Sequence, residues 1–326
     1  MKALRLVELN QPLSEENIPE PTPGEGEVII EVKAAGLCHS DLHFMAGQIK
    51  VPRPLTLGHE TAGIVVHKGP NTDEVEIGDR VAVYLGDTSA GDNKSMEQMI
   101  PGISSDGGLA QKARAMSRNL VKVPDNVDFF DAAVATDAIA TSYHAVKGRA
   151  EIQSGMKVGI IGLGGLGING MRVCHLLGAQ TLVADIDAEK LSLAKKEGAL
   201  KTTSDFLEFR GENPDVVIDF VGSAETLKAA QRVVKHSGRI VLVGLASMKA
   251  EIHSFDLASR EIELMGSFGA TFKDLQEVME LLSQGHLKMD IEKINFNEVN
   301  HGLHRLHEGK VKGRLVVDLQ SITPGD

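Results

Sequence analysis

Hydrophobic positions in the first half of the chain form short runs that predict β-strands. The runs EVIIEVKAAG at 27–36, GIVVHKG at 63–69 and RVAVY at 80–84 are apolar or alternating, and Gly, Pro or Asp residues bound them. Segment 86–106 is polar, rich in Gly and Ser and without a period, so we expect a long surface loop there. From 128 to 148, apolar residues recur at three- and four-residue spacings, which predicts a helix.

After residue 150 or so, the pattern changes to strands that alternate with helices. Strands are predicted at 157–162, 181–187, 214–222, 238–245 and 313–319, and helices at 165–178, 188–198, 225–236, 272–285 and 296–310. Asp187 is expected to cap the helix that follows the second of these strands. The alternation is typical of a parallel sheet with helices on both faces.

A glycine motif, GLGGLG, begins at Gly162 between a predicted strand and a predicted helix. Gly162 allows the tight turn, Gly164 lets the backbone approach a pyrophosphate, and Gly167 lets the helix pack on the strand. Asp185 ends the next strand 23 residues beyond Gly162, a placing that suits hydrogen bonds from ribose hydroxyls. A carboxylate there repels a 2′-phosphate, and Ile186 offers no positive charge, so NAD is favoured over NADP. The alternative is glycines that merely form a loop.

Cys38, His59 and Asp137, with Glu60 beside His59, supply a thiolate, an imidazole and a carboxylate. This set can hold a catalytic zinc with one position left open. The alternatives are a buried thiol, a core histidine and a surface carboxylate. Asp137 lies in the otherwise apolar stretch AAVATDAIAT, where an unpaired carboxylate would be costly. Taken one residue at a time, the spacing does not decide between these interpretations.

Length and composition set the outer limits. With 326 residues the chain can form two domains, and 42% apolar with 24% charged residues is ordinary for a globular protein. The net charge of −11 argues against a nucleic-acid or anionic-membrane partner. The two cysteines, Cys38 and Cys174, exclude a disulfide framework and fit a reducing compartment. Acids and prolines come too early for a signal peptide, and no apolar run reaches the roughly 18 residues that a membrane span needs, so we expect a cytoplasmic protein.

These residues resemble the zinc-dependent alcohol dehydrogenases of the medium-chain dehydrogenase/reductase superfamily. The resemblance runs nearly end to end, through GLCHSDLH, LGHETAG followed by GDRV, TDAIATSYHAV, GLGGLG with its acidic residue, and the terminal GRLVVDL. It implies an α/β fold in two domains. A GroES-like β-rich catalytic domain would span 1–138 and 269–326, and a Rossmann domain with a doubly wound parallel sheet would span 139–268.

The resemblance also assigns catalytic roles. The implied zinc ligands are Cys38, His59 and Asp137, the last at a position that is cysteine in many members and aspartate in some. Further implied residues are Glu60 behind the metal, Asp41 orienting His59, and Ser40 with His43 relaying the alcohol proton to solvent through the cofactor ribose. For Ser40 and His43 the alternative is a helix-capping serine with a first-turn histidine.

The cofactor site follows from the same resemblance. The implied residues are His39, Thr141, Gly162, Gly164, Gly165, Leu166, Gly167, Asp185, Lys190, Val243, Leu245, Ser267, Phe268 and Arg314. His39 and Arg314 would neighbour the pyrophosphate, and Lys190 the adenosine ribose unless it is a solvated helix lysine. Thr141 would contact the nicotinamide side, and Val243, Leu245, Ser267 and Phe268 would lie where the nicotinamide pocket is closed. Tyr84 and Phe268 are candidates for the substrate wall, although either could be plain core.

The chain departs from the family in one region. Many members hold a second, structural zinc with four cysteines, and two cysteines cannot build that site. The expected cofactors are therefore one catalytic Zn²⁺ and NAD(H). The expected partners are a small alcohol or carbonyl and further copies of this chain, in a dimer or tetramer, with no nucleic acid and no membrane.

The expected activity is reversible hydride transfer between a primary or secondary alcohol and NAD⁺, giving an aldehyde or ketone; polyols stay open as substrates. One alternative is a zinc-free quinone or enone reductase of the same superfamily, which would contain no metal and prefer NADPH. Cys38, His59 and Asp185 argue against it. Another is a non-catalytic NAD-binding redox sensor, which would need no proton relay.

Overall fold

The computed structural model describes residues 1–86, 88 and 99–322. The chain divides into two compact units, one of Met1–Asp137 with Thr271–Asp326 and one of Ala138–Ala270. The sequence-predicted boundaries, after residues 138 and 268, lie within two residues of these divisions. About half of the surface loop predicted at 86–106, residues 87 and 89–98, lies outside the described residues. Within the described part of the chain, no helix has the length and apolar character needed to cross a membrane.

The strands, in chain order, are β1 (Lys2–Leu6), β2 (Ser14–Asn17), β3 (Glu27–Gly36), β4 (Leu55–Thr56), β5 (Glu60–Lys68), β6 (Arg80–Val83), β7 (Lys112–Met116), β8 (Leu120–Lys122), β9 (Lys157–Ile161), β10 (Gln180–Ala184), β11 (Lys201–Thr203), β12 (Val216–Asp219), β13 (Arg239–Leu242), β14 (Glu263–Gly266), β15 (Ile291–Asn295) and β16 (Arg314–Asp318). The α-helices are α1 (His39–Met45), α2 (Phe129–Val134), α3 (Ala140–Tyr143), α4 (Gly165–Leu176), α5 (Ala188–Lys196), α6 (Ala224–Val233), α7 (Ser254–Ser259), α8 (Phe272–Ser283) and α9 (Val299–His307). Short 3₁₀ turns cover Ser117–Asn119, Phe206–Phe209, Phe296–Glu298 and Leu319–Ser321.

The first unit is β-rich. Its main sheet runs β15-β16-β3-β5-β6-β8 with β7 also paired to β3, and a smaller sheet runs β2-β1-β4. Strand β3 occupies the predicted range and pairs antiparallel with β5, with irregular register between Ile29 and Ile30 and between Val32 and Ala34. The strands predicted at 27–36, 63–69 and 80–84 correspond to β3, β5 and β6, and the predicted final strand corresponds to β16. A cluster of buried aliphatic side chains that includes Leu6, Leu37 and Leu57 fills the core of this unit.

The second unit is a six-stranded sheet in the order β11-β10-β9-β12-β13-β14, and all its pairs are parallel. Numbered within the unit, this is the order 3-2-1-4-5-6 of a doubly wound dinucleotide-binding sheet. Strands β10 and β11 lie on one side of β9, and strands β12, β13 and β14 lie on its other side, so the switch point of the sheet lies between β9 and β12. The carboxyl ends of these two strands are where such sheets bind their ligands. The predicted α/β class is confirmed.

Element ends differ from the prediction where polar side chains form hydrogen bonds with backbone N–H groups. The strand predicted at 181–187 ends at Ala184, because the carboxylate of Asp185 accepts a hydrogen bond from the Asp187 N–H at 2.9 Å and turns the chain. Asp187 caps α5 as predicted, accepting from the Glu189 N–H at 2.8 Å. The predicted 128–148 helix is helical, but two of its turns, Ala135–Ile139 and His144–Arg149, are π-helical.

Candidate metal centre and dinucleotide site

Four side chains with metal-binding atoms meet in the first unit. One ligand atom from each of Cys38, His59, Glu60 and Asp137 lies within 4.8 Å of all the others. Cys38 precedes α1, His59 immediately precedes β5, which Glu60 begins, and Asp137 lies in the π-helical turn that follows α2. Because β3, which leads to Cys38, pairs with β5 through Gly36 and Glu60, the sheet register itself brings the first three together.

The atoms of the cluster converge on one carboxylate oxygen. Oδ2 of Asp137 is 3.2 Å from the Cys38 Sγ and 3.8 Å from the His59 Nε2. Cys38 and His59 are 4% and 2% exposed, so water reaches little of either. One sulfur, one nitrogen and one oxygen atom thus face a common point, in surroundings of low dielectric constant.

Asp41 holds two of these ligands from behind. Its Oδ2 accepts a hydrogen bond from the Cys38 N–H at 2.9 Å, and its Oδ1 lies 3.4 Å from the His59 Nδ1. The imidazole therefore turns Nδ1 to Asp41 and Nε2 to Asp137. This is the geometry by which a carboxylate orients a metal-bound histidine.

The N-terminus of α1 decides against the alternative interpretation of Ser40 and His43. Cys38, rather than Ser40, is the N-cap, so the interpretation of Ser40 as a cap with His43 in the first turn is wrong. Ser40 lies inside the helix, half-buried, with its Oγ 3.5 Å from the Cys38 Sγ. His43 lies in the last turn of the same helix and hydrogen-bonds the Gln48 side chain.

Arg314, at the start of β16, enters the cluster directly. Its guanidinium binds both oxygens of Glu60, through Nε at 3.0 Å and through a second nitrogen, and also reaches the Asp137 Oδ2 at 3.1 Å. Glu60 is fully buried and Arg314 is 2% exposed. The sequence predicted Arg314 as a pyrophosphate neighbour; its contacts with Glu60 and Asp137 were missed, and that cofactor role stays a prediction.

Packing makes this buried ion pair possible. A Cβ at Gly36 would lie 1.8 Å from the Glu60 Oε2, so only glycine leaves room for that carboxylate. Burial raises the pKa of Glu60 to about 7 although Arg314 lowers it. Burial lowers the pKa of His59, but the carboxylates of Asp41 and Asp137 more than offset this and hold it well above its usual range. Negative potential thus surrounds the imidazole on both sides.

The donor set fits a single zinc ion. Thiolate, imidazole and carboxylate are ligands that zinc takes, and catalytic sites use three protein ligands. Glu60 already has both oxygens bound to Arg314, which leaves Cys38, His59 and Asp137 as that set. The carboxylates of Asp41 and Asp137 favour the protonated, positively charged form of the His59 imidazole, and for the same reason they favour a metal ion bound to its Nε2.

The glycine motif of the second unit forms the turn between β9 and α4. Gly162 has φ +86°, and a Cβ on Gly167 would lie 1.7 Å from the Gly162 carbonyl oxygen. Gly164 differs, because its φ is −68° and a Cβ there would meet no atom within 4 Å. The carboxylate of Asp185 accepts a hydrogen bond from the Leu163 N–H at 2.6 Å, which ties the end of β10 to this turn.

The remaining predicted residues are distributed as follows. Thr141 is buried on α3, whose Ser142 hydroxyl bonds the Leu166 carbonyl at 2.7 Å. Lys190 is half-buried on α5, and Val243, Leu245, Ser267 and Phe268 follow the ends of β13 and β14. His39 is exposed at the first position of α1, and Gly165 opens α4. Tyr84 is 6% exposed, with its ring edge-on to Phe272 in the first unit, whereas Phe268, in the second, is 63% exposed.

A further polar residue of the second unit escaped the sequence analysis. Asp219 ends β12 and is fully buried beside the glycine turn. A carboxylate that closes the apolar run VVID is a signal that could have been read, because a buried charge needs partners.

A largely buried cluster of thiol, imidazole and carboxylate groups on a β-rich unit, and a glycine turn at the switch point of a doubly wound sheet, define a class. It is that of the metal-binding, dinucleotide-dependent dehydrogenases.

Comparison with known proteins agrees. The family models "Alcohol dehydrogenase GroES-like domain" and "Zinc-binding dehydrogenase" match residues 24–125 and 165–284. An alcohol dehydrogenase of Geobacillus stearothermophilus is 30% identical over 97% of this chain and 99% of its own. Acetophenone reductase of Geotrichum candidum, solved in complex with NAD, is 33% identical with a TM-score of 0.92 and covers 98% of both chains. A thermostable alcohol dehydrogenase of Pyrobaculum aerophilum, solved with cobalt and zinc bound, is 27% identical with a TM-score of 0.88, over 98% of this chain and 99% of its own.

The chain belongs to the zinc-binding alcohol dehydrogenase family. The predicted family and the predicted pairing of a GroES-like with a Rossmann domain are confirmed.

Proposed function

We propose that this enzyme interconverts a primary or secondary alcohol with its aldehyde or ketone, using one catalytic zinc and NAD(H). The observation that carries the proposal is the convergence of the Cys38, His59 and Asp137 ligand atoms, which lie within 4.8 Å of one another, with Cys38 and His59 buried and Asp137 half-buried. Isolated core residues would not need to place a thiol, an imidazole and a carboxylate at one point.

Cys38, His59 and Asp137 would hold the metal, Asp41 would fix the His59 ring, and Arg314 would keep Glu60 paired behind it. A zinc ion held there supplies a Lewis acid that lowers the pKa of an alcohol, and a bound nicotinamide supplies the hydride acceptor. Three protein ligands leave the fourth zinc position to substrate or water.

Ser40 would take the alcohol proton. Its hydroxyl lies 3.5 Å from the Cys38 sulfur, so it stands beside the ligand set without belonging to it. His43 follows one turn later on α1 and is the next group along the helix that can carry a proton towards water. This relay transfers a proton only, so it is separable from metal binding.

Asp185 and its neighbours favour NAD(H) over NADP(H). The Asp185 carboxylate is anchored between the Leu163 and Asp187 N–H groups, so it cannot easily turn away from a 2′-phosphate. Ile186 beside it is 95% exposed and uncharged. Neither the φ of Gly164 nor its packing requires glycine at this position. The remaining reason for the missing side chain is the approach of a pyrophosphate.

We also propose a homo-oligomer, dimer or tetramer, in the cytoplasm. Strand β14 is the end strand of the parallel sheet, and the second unit exposes Phe255 at 74%, Phe268 at 63% and Met248 at 55%. A sheet end and exposed apolar side chains are features that a partner copy can cover. Both cysteines are free and buried, in keeping with a reducing compartment.

One experiment tests the function. The purified enzyme is loaded with zinc and assayed with NAD⁺ or NADH against a panel of primary alcohols, secondary alcohols, polyols and carbonyls. Turnover of an alcohol that a chelator abolishes supports the proposal. Chelator-resistant turnover of quinones or enones with NADPH, or NADH binding without turnover of any member, would contradict it.

A further inference from the structure

The chain segment after β12 is held between two other segments at the carboxyl edge of the parallel sheet. On one side the Phe220 N–H bonds the Ile161 carbonyl at 3.0 Å, and a Cβ on Gly162 would lie 2.5 Å from a methyl carbon of Val221. On the other side, a Cβ on Gly222 would lie 1.8 Å from the Gly244 carbonyl oxygen. The segment 219–222 therefore packs against the glycine turn and against the segment 243–247 at backbone distance.

Backbone hydrogen bonds join segments 219–222 and 243–247 in order. The Asp219 carbonyl accepts from the Val243 N–H at 2.9 Å and from the Gly244 N–H at 3.0 Å. The Val221 and Gly222 carbonyls accept from the N–H groups of residues 246 and 247, each at 3.0 Å. The position of Val243 and Leu245, the residues expected beside the nicotinamide, is thus set by the conformation of 219–222.

One side chain fixes that conformation. The Asp219 Oδ1 accepts from the Val221 N–H and from the Gly222 N–H, both at 2.9 Å, and the residue is fully buried. These bonds fold the chain into the turn that aims the Val221 and Gly222 carbonyls at segment 243–247. The Thr226 hydroxyl lies beside the Asp219 carboxylate, and because a hydroxyl accepts as well as donates, a neutral amide could take the carboxylate's place.

We infer that Asp219 is a positioning residue for the nicotinamide half of the cofactor site. It acts through 219–222 on Val243 and Leu245 rather than by touching the cofactor. The inference rests on the proposed NAD(H) function, and it predicts an effect on one half of the dinucleotide only. The adenosine half depends on Asp185, whose carboxylate is held by the Leu163 and Asp187 N–H groups rather than by Asp219.

The test compares dissociation constants for NADH and for 5′-AMP, measured well below the melting temperature of each variant. Asp219→Ala should weaken NADH binding by about tenfold or more, since misplacing a site by about 1 Å can cost up to about 10²-fold. It should change 5′-AMP binding less than twofold or so. Asp219→Asn, which keeps an acceptor oxygen for both N–H groups, should restore NADH affinity.

The matched control is Thr181→Val. Thr181 is fully buried at the opposite, amino end of the sheet, and its hydroxyl bonds the His175 Nε2 at 2.8 Å. Its loss should lower the melting temperature and leave the ratio of the two affinities unchanged. Asp219→Ala that binds NADH like wild type, or that weakens both ligands alike, would overturn the inference. Wild type that binds neither ligand would instead refute the NAD(H) function itself.

Discussion

Replacing Arg314 by Met would leave the fully buried carboxyl group of Glu60, in the metal centre, without its partner. Glu60 is fully buried, Arg314 is 2% exposed, and the pair is bidentate. Removing one partner of such a pair destabilises a protein by about 3–5 kcal/mol. For a domain of roughly this size, each 1 kcal/mol corresponds to about 2–4 °C in melting temperature, so we expect a loss of about 10 °C.

The assay is a pair of melting curves, one after zinc has been stripped with a chelator and one after zinc has been restored. Zinc should raise the melting temperature of Arg314→Met more than that of wild type, because the metal returns positive charge beside Glu60 and Asp137. Arg314→Lys keeps the positive charge but loses the bidentate geometry of the guanidinium. Its melting temperature should therefore lie between those of wild type and Arg314→Met.

Arg305→Met is the matched control. Arg305 also binds a glutamate through two nitrogens, at 2.5 and 2.8 Å from Glu292, but the side chains are 26% and 42% exposed. Exposed pairs contribute little, so its melting temperature should hardly change. The electrostatic account of the centre would be wrong if zinc-free Arg314→Met melted at the same temperature as zinc-free wild type. It would also be wrong if Arg314→Met and Arg305→Met lowered the melting temperature equally.

Three further outcomes are expected. Ser40→Ala should retain zinc and slow alcohol oxidation by about 10² to 10⁴, the usual worth of general acid–base help, and a loss of zinc in this variant would contradict its role as a relay. Wild type should prefer NAD(H) in kcat/KM, and Asp185→Ser with Ile186→Arg should narrow that preference by removing a repulsion and adding a charge partner; a wild-type preference for NADP(H) would refute this. Gly164→Ala should keep the wild-type melting temperature, since its Cβ meets nothing within 4 Å, yet weaken NADH binding; unchanged binding would remove the argument that pyrophosphate approaches there.

The parallel sheet could be predicted because its strands are buried on both faces. Runs such as KVGIIG are apolar throughout, and the turns between them carry glycine or a helix cap such as Asp187. Strand ends were overestimated, because Asp185 and Asp219 redirect the chain through side-chain hydrogen bonds to backbone N–H groups. A hydrophobic pattern does not record such bonds.

Several strands of the first unit could not be predicted from pattern alone. Strands β2 and β15 are mostly polar and lie at sheet ends, and β7 has the sequence KARAM, with little apolar contrast. Their pairing with neighbouring strands determines their structure more than their own residues do.

The metal ligands could be proposed only through the family resemblance, since Cys38, His59 and Asp137 are far apart in sequence. The position of Arg314 against Glu60 depends on the pairing of β16 with β3, a long-range register that no local motif encodes. The π-helical turn that carries Asp137 likewise has no signature in the apolar spacing of its helix.

The most direct test of the account is the zinc content of the purified chain, measured by elemental analysis for wild type and for Cys38→Ala. Three ligands and the absence of a four-cysteine set predict about one zinc per chain in wild type. Cys38→Ala should contain almost none, while it still binds NADH through the other unit. Two firmly bound zincs in wild type, none at all, or full zinc and activity in Cys38→Ala would contradict the proposed centre.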